Sequence, residues 1–578
     1  MAGNSLQANV NVQWKGYTAM NHTDSAVPAT NFLVTWDDPD DANLFWTFDR
    51  MHQPAPITPM TGQYLEYMFA DGFNRALQAY ELPLRMYTRR INTYQYNAVA
   101  PLLRSVEELA AQGQRAEHNL AEAMQHLAEN WEQLYLPEVK QHLAYWEAFD
   151  RSGSALPDLL RHLDETIVRI RRVYEIHFLV YFPFVLAPSL FEELYRDLFG
   201  DEQALDAYGL LQGIDNKTLE ADRALWQLSR TALATPAVHD ILRRLPAADV
   251  VGGLETAPLA QDFLARLRAY LGEYGQRSDK SNELDALHWM EDPTPVISRL
   301  QEYITQPDRD LAADLAAQGA EREQLLAETR TRLQGYPQPV IDQFEALLRA
   351  AQAGVFVGEQ HSYWIDQRMT YQVRQVMLEF GRRLAAAGVL EHASDVFYLT
   401  FDEARATAQA QPACDQRRIV AARRAEMEYF RTIQPPPVLG TPPPARPPAN
   451  PLSRAIDRFF GFSAPPQVPS EPDVLRGHAG SHGTTRGHAR VVRSLAEADK
   501  LQMGDVLVTE TTQPAWTPLF GTAGAVVTDT GGVLSHCAVV AREYGIPAVV
   551  GVGVATSTIR DGQMIEVDGR AGIVRLLA

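Results

Sequence analysis

Residues 528–551 read TDTGGVLSHCAVVAREYGIPAVVG. An apolar strand ends at Asp529, two glycines follow, and a helix begins after Ser535. Gly531 and Gly532 open backbone conformations closed to other residues and allow a bulky anion to approach. Ser535 is a residue type that caps helix starts, and His536 then opens the helix. First-turn N–H groups lack partners within a helix and sit at the positive end of its dipole. A phosphoryl group on His536 would meet both. Neutral imidazole is a nucleophile near pH 7, so the arrangement suits a covalent phosphoryl carrier. A histidine at a helix start is, by itself, also an ordinary structural feature.

Working outward, DVLVTE, AGAVVTD, PAVVGV, MIEVDG and GIVRLL read as short strands between glycine-rich turns, and SHCAVVAREYG as the one strong helix among them. Upstream lies residues 434–472, with 13 prolines in 39 residues. That content excludes a continuous helix or a central strand. It predicts a semi-rigid tether interrupted by one short helical piece, LSRAIDRFFGF, or alternatively a loop packed along the surface. From Trp36 to about Arg431 apolar residues recur at spacings of three and four, which predicts a mostly helical body. Ile365, Met369, Val373, Met377, Phe380 and Leu384 keep one stripe, and Gly388 is placed to stop that helix. The fold class expected is therefore multidomain. It comprises an irregular arm at 1–35, a large mainly α-helical domain at 36–433, a Pro-rich linker at 434–472 and a small β-rich C-terminal domain at 473–578.

Composition narrows the function classes. The net charge of −20 disfavours nucleic acid and anionic membranes as main partners. Two cysteines, Cys414 and Cys537, exclude a disulfide framework and fit a cytoplasmic protein. The first residues, MAGNSLQANVNVQWKGY, do not read as a signal peptide. The most apolar stretch, FLVYFPFVLA at 178–187, is too short to span a bilayer and reads as a buried helix or pocket wall.

The 528–551 segment resembles the phosphohistidine signature of the phosphoenolpyruvate (PEP)-utilising family. The matching residues are Gly531, Gly532, Ser535, His536, Ala538, Val540 to Glu543 and Gly545 to Val549. LRGHAGSHGTTRGHARVV at 475–492 and GDVLVTETTQPAWTPLF at 504–520 fit the same family. The resemblance implies a β/β/α swivelling domain, His536 as the phosphoryl carrier, and Gly531, Gly532, Ser535 and Arg542 in its phosphate-binding loop. Leu534 stands where many members have threonine, and Cys537 replaces a small residue, read here as core. In the body, FWTFDRMHQPAPITPMTG, LLQGIDNKTLEADRALWQLSR, EYGQRSDKSNELDALHWMEDPTPV and GEQHSYWIDQ look like the acceptor domain of rifampin phosphotransferases and of phenylphosphate synthase. The layout is most similar to the phosphohistidine-bearing subunit of phenylphosphate synthase.

A family member also needs an ATP-grasp domain. No such stretch and no GxxxxGK[ST] are found, and only 42 residues follow His536. The expectation is that ATP and Mg2+ bind mainly on an ATP-grasp-type partner subunit, and that no pyruvate-binding barrel is present. The acceptor is expected to be a small hydroxylated, aromatic compound such as a phenol. An antibiotic or natural product, or a non-catalytic phosphocarrier or scaffold role, remain as alternatives. A phosphoryl acceptor needs a base and the transferring phosphate needs cations. Candidates for the acceptor pocket are Glu359, His361 and Asp366 at the start of the stripe helix, Arg277, His52 and His177; each also has a structural reading. His478, His482 and His488 lack a metal-ligand framework, so no metal site is assigned. The purified chain is expected not to bind ATP tightly. Micromolar binding by calorimetry would show that a nucleotide lobe has been overlooked.

Overall fold

The computed structural model describes residues 32–577, apart from 103–105, 201–204, 281, 309, 412–413, 443–449 and 462–472. Most of the expected N-terminal arm lies outside the described residues. Its end does not: Phe32 is buried against Tyr94, Tyr96 and Phe430.

The body is mostly helical, and one helix organises it. Leu156–Phe199 runs for 44 residues with Pro183 and Pro188 inside it. By length and composition it could cross a bilayer, yet 78% of its most apolar window is buried within the protein. The expected short buried segment is thus the middle of a long core helix. Pro188 has no N–H to give the Phe184 carbonyl. Opposite that gap sits Gly354, where a Cβ would come within 3.0 Å of the same carbonyl oxygen and 3.2 Å of Pro188. Helix Gln338–His361 therefore packs very closely against the core helix. Beyond it the stripe holds: Ile365, Met369, Val373, Met377, Phe380 and Leu384 are all fully buried. Gly388, with φ of 74°, follows the end of helix Arg368–Ala386. Burying six such side chains contributes on the order of 10 kcal/mol of transfer free energy before entropy is counted.

The body is mostly helical, as expected, but it also carries a sheet that the periodicity did not announce. Strands β1 (Phe45–Phe48), β2 (Leu84–Ile91), β3 (Tyr94–Pro101) and β4 (Val438–Gly440) form an antiparallel sheet in the order β2-β3-β1-β4. β4 belongs to the proline-rich stretch, so that stretch begins as a sheet edge and not as a free tether.

The C-terminal domain contains β5 (Val474–Arg476), β6 (His478–Ser481), β7 (Thr484–Val491), β8 (Val506–Thr509), β9 (Ala525–Thr528), β10 (Ala548–Val550), β11 (Met564–Asp568) and β12 (Ile573–Leu576). Their order is β5-β12-β11-β7-β8-β9-β10-β6. β7, β8, β9 and β10 pair in parallel, and helix His536–Glu543 crosses between β9 and β10. This parallel run brings the β9–helix turn to the sheet's C-terminal edge, where ligands of α/β sheets commonly bind.

That edge is docked on the body. Arg50 pairs with Glu510 and with Asp529 (3.3 Å) and donates to the Gly553 carbonyl. Tyr544 donates to Asp222, Arg299 reaches Thr522 at 3.2 Å, and Glu543 accepts from the Gly213 N–H at 3.0 Å. Leu534 inserts among Phe191, Tyr208 and Leu348.

Helix Pro451–Phe460 lies between the two parts. It is the helical piece expected within the linker, but it is packed. Arg454 and Arg458 pair with Glu193, Arg458 also with Glu192, holding it to the core helix. Its last carbonyls, from Arg458, Phe459 and Phe460, accept from the N–H groups of Leu534, Gly532 and Gly531. Gly532 is needed here because the helix end sits on it: a Cβ would collide with the Arg458 carbonyl. Gly532→Ala should therefore free this helix. Limited proteolysis of residues 434–472 should become several-fold faster while far-UV circular dichroism stays unchanged. An unaltered cleavage rate would show that the helix is held by the body alone.

Candidate functional site

His536 begins its helix at the docked edge, half-buried, with both ring nitrogens engaged. Nδ1 lies 3.0 Å from the Thr512 hydroxyl and Nε2 lies 3.3 Å from the Thr517 hydroxyl. The ring stands edge-on to Phe520. Burial, reinforced by the positive charge of Arg277, pushes its pKa down to about 3. The docked imidazole is therefore neutral at physiological pH, which is the nucleophilic form.

The surrounding loop departs from expectation in three respects. Ser535 occupies the N-cap position but makes no capping hydrogen bond; its Oγ is buried without a partner. Gly531, with φ of 96°, makes room for that hydroxyl, since a Cβ there would come within 2.8 Å of it. Gly531 and Gly532 give their N–H groups to the linker helix, so those groups are not available to an anion in this arrangement. Arg542 turns away: it donates to the Gly480 (2.7 Å) and Val533 (3.0 Å) carbonyls and lies over the Tyr208 ring. Burial lowers its pKa to about 10. It fixes the loop's shape by tying Val533 to β6. Cys537 is a core residue, its thiol pushed up to about 12 by burial.

Across the interface stands Arg277, only 3% exposed. It makes no ion pair with the described residues. Its one hydrogen bond, to the Lys217 carbonyl, is long at 3.4 Å, and its Nε is buried without a partner. Trp289 and Tyr363 flank the guanidinium at 5.8 and 5.5 Å. A buried guanidinium without a carboxylate is costly unless an anion comes to it. Glu359 lies within the same field. Its carboxylate accepts from Thr218 at 2.6 Å, and burial raises its pKa against the opposing effects of Thr218 and Arg277.

The other candidates meet in a second cluster. His361 ends helix Gln338–His361 and Asp366 lies in the π-helical turn Ser362–Gln367 that follows. In a π-helical turn residues five apart are stacked, so His361 Nε2 comes to 3.7 Å from Asp366 Oδ2. These residues therefore do not open the stripe helix, as the sequence suggests; they precede it. From the core helix, His177 Nδ1 reaches Asp366 Oδ1 at 3.0 Å, and the His177 and His361 rings are 4.8 Å apart. His361 is held well below its usual pKa, at about 4, by burial and by His177. Burial works to raise Asp366, and His177, His361 and His52 outweigh it, leaving the carboxyl below its ordinary value. His52 is 2.9 Å from Asp49, which overcomes the effect of burial and raises the imidazole's pKa. His478, His482 and His488 form no such cluster.

Comparison with known proteins agrees with the geometry. Residues 501–572 match the PEP-utilising enzyme mobile domain, and residues 177–359 match the rifampicin phosphotransferase fourth domain. The chain is thus similar to PEP-utilising phosphotransferases in its C-terminal domain and in part of its helical body. It is 43% identical over 97% of its length to chondramide synthase cmdD of Chondromyces crocatus, of which it covers 14%. It is 28% identical over 95% of its length to the uncharacterized phosphotransferase YvkC of Bacillus subtilis, covering 63% of that protein. To the rifampicin phosphotransferase of Streptomyces sviceus it is 32% identical over 66% of its length, covering 42%. The chain thus spans less than two thirds of the length of each of these relatives.

The stretch that matches the mobile domain, residues 501–572, contains His536, Thr512 and Thr517 together. The two threonines escaped the sequence reading. Their only signal is that TETTQPAWTPLF carries four threonines in a strand-to-loop stretch. They supply hydroxyls that Leu534 cannot. Docking of this domain should depend on pH through His536. Its docked pKa, about 3, lies below its ordinary 6.5. Its contribution to docking is thus complete above pH 6.5 and is lost as the pH falls toward 3. Glu543, raised to about 7 by burial, acts with the opposite sign, so the difference between wild type and His536→Gln isolates the histidine. Energy transfer between dyes on body and mobile domain should show the wild type undocking more readily than the variant below pH 6.5. Parallel titration curves would exclude this linkage.

Proposed function

We propose that this chain is the phosphohistidine-bearing unit of a phosphotransferase. His536 takes a phosphoryl group from ATP bound with Mg2+ on a separate ATP-grasp-type unit. It then passes the group to the hydroxyl of a small, aromatic acceptor held in the helical body. Both cysteines are free, as suits the cytoplasm. The observation that carries this reading is a neutral His536 within the field of a buried Arg277 that makes no ion pair with the described residues.

In the transfer step the acceptor oxygen attacks phosphorus, the phosphorus–nitrogen bond breaks, and its electron pair returns to the imidazole. The acceptor proton passes to a nearby base. Thr512 makes the shorter contact, at Nδ1, and steadies the ring; Nε2, with the longer contact to Thr517, is the phosphorylated nitrogen. Charge on the equatorial oxygens of the moving phosphoryl group falls to Arg277. The unpartnered Ser535 hydroxyl is free to donate to the same group. One histidine must meet donor and acceptor in turn, so residues 473–578 move between two positions, and the docked arrangement is the acceptor-facing one. A bulkier natural-product hydroxyl is the second reading, favoured by the 43% identity to a chondramide synthase.

Incubated with its ATP-binding partner, ATP and Mg2+, the chain should gain one acid-labile, base-stable phosphate at His536. Retention of the label in His536→Ala would refute the assignment. Arg277→Met should leave that phosphorylation intact. It should slow discharge of the phosphohistidine to phenol by roughly 10²–10³-fold, the scale of losing one charge-stabilising donor. Equal discharge rates would remove Arg277 from the transfer site.

A further inference from the structure

The cluster of His177, His361 and Asp366 has features that hydrogen bonding among its members does not satisfy. His177 Nδ1 stands 3.0 Å from Asp366 Oδ1, yet neither buried atom has a hydrogen bond of ordinary geometry. His177 is 7% exposed and His361 5%, so water does not readily make up the loss. His361 Nδ1 meets the Val357 carbonyl at 3.2 Å. A carbonyl only accepts, so the proton resides on Nδ1 and Nε2 presents its lone pair to Asp366 Oδ2, 3.7 Å away. An imidazole fixed through its remote N–H by a backbone carbonyl is the usual outer-shell arrangement of a metal-bound histidine. The three ligand atoms lie within 4.8 Å of one another. Two atoms each ~2.1 Å from one ion stand about 3.0–3.4 Å apart for tetrahedral to octahedral angles. One pair already fits, and the widest, 4.8 Å at most, closes by about 1.4 Å through side-chain rotation when an ion is bound. The core helix and the helix before the π-helical turn hold the ligands on rigid elements.

We infer that His177, His361 and Asp366 bind one divalent transition-metal ion, of the Zn2+ or Mn2+ class, beside the acceptor pocket. Two imidazoles disfavour Mg2+ and Ca2+, which take oxygen ligands. Three protein ligands leave at least one coordination position open for water or a hydroxyl. His52, within the electrostatic reach of Asp366, lies in the loop whose Arg50 and Met51 meet the mobile domain, with its ring edge-on to Phe460. This site is separate from any Mg2+ bound with ATP, and its occupancy is measured without phosphoryl transfer. Its failure and that of the proposed function are thus distinguishable.

The tag-free chain, stripped with chelator, is titrated by calorimetry with Zn2+ and separately with Mn2+. Wild type should bind one equivalent of at least one of them. His177→Ala/His361→Ala should lose it, and Asp366→Asn should weaken it more than tenfold. His478→Ala/His482→Ala/His488→Ala should leave it unchanged. No binding by wild type, or equal binding by the His177/His361 double variant, would overturn the inference. Should that variant fail to fold, X-ray absorption of the Zn2+-loaded wild type decides the question. Two imidazole nitrogens at about 2.0 Å support the site, and any other first shell overturns it.

Discussion

An imidazole can accept a phosphoryl group only while it is unprotonated, and the transferred group then needs positive charge ready around it. In the proposed transfer both demands fall on one pair, His536 and the Arg277 guanidinium whose field reaches it across the docked interface. Burial and the guanidinium together hold the imidazole neutral, and the guanidinium makes no ion pair with the described residues, its Nε buried without a hydrogen bond. Charge preorganised in a water-poor site is worth far more than the same charge in solvent. The rest of the architecture positions these two groups. The parallel strands bring the β9–helix turn to the sheet edge, and Arg50, Asp222 and Arg299 clamp that edge onto the body. The core helix supports the residues that line the other side.

Much of this organisation was legible in the sequence. The five strands quoted from the C-terminal region and the helix after His536 appear where expected, because β-branched runs between glycine turns leave little choice of structure. The stripe from Ile365 to Leu384 was legible for the same reason: its spacing fits only one buried face. The sheet β1–β4 was not. Its hairpin turns at Asn92 and Thr93, both in the left-handed region with φ of 46° and 72°. Threonine stands where glycine would have announced the turn, and β1 finds β4 far along the chain.

The candidate site was legible in its members more than in its geometry. Arg277, Glu359, His361, Asp366, His52 and His177 were all marked, yet nothing in their spacing says that His361 and Asp366 touch. Five residues apart, they would lie on different faces of an α-helix, and only the π-helical turn aligns them. Gly531 and Gly532 show the opposite failure. Their spacing announces a need for room, but the end of the linker helix fills it at Gly532 and the Ser535 hydroxyl at Gly531. Arg542 was misplaced because a family signature records that a residue is required without saying whether it holds the ligand or the loop.

The linker helix Pro451–Phe460 is fastened differently on its two sides. Toward the body it is held by guanidinium–carboxylate pairs to Glu192 and Glu193. Toward the mobile domain it is held by backbone N–H to carbonyl bonds. Dissolved salt weakens the first kind of fastening at the more exposed Arg454 and barely affects the second. Salt alone does not free the helix from the body, because Ala455 is fully buried and Phe459 packs on Tyr181 and Phe184 of the core helix. Concentrated salt thus thins the fastening at Arg454 and leaves the greasy side of the helix seated where it was.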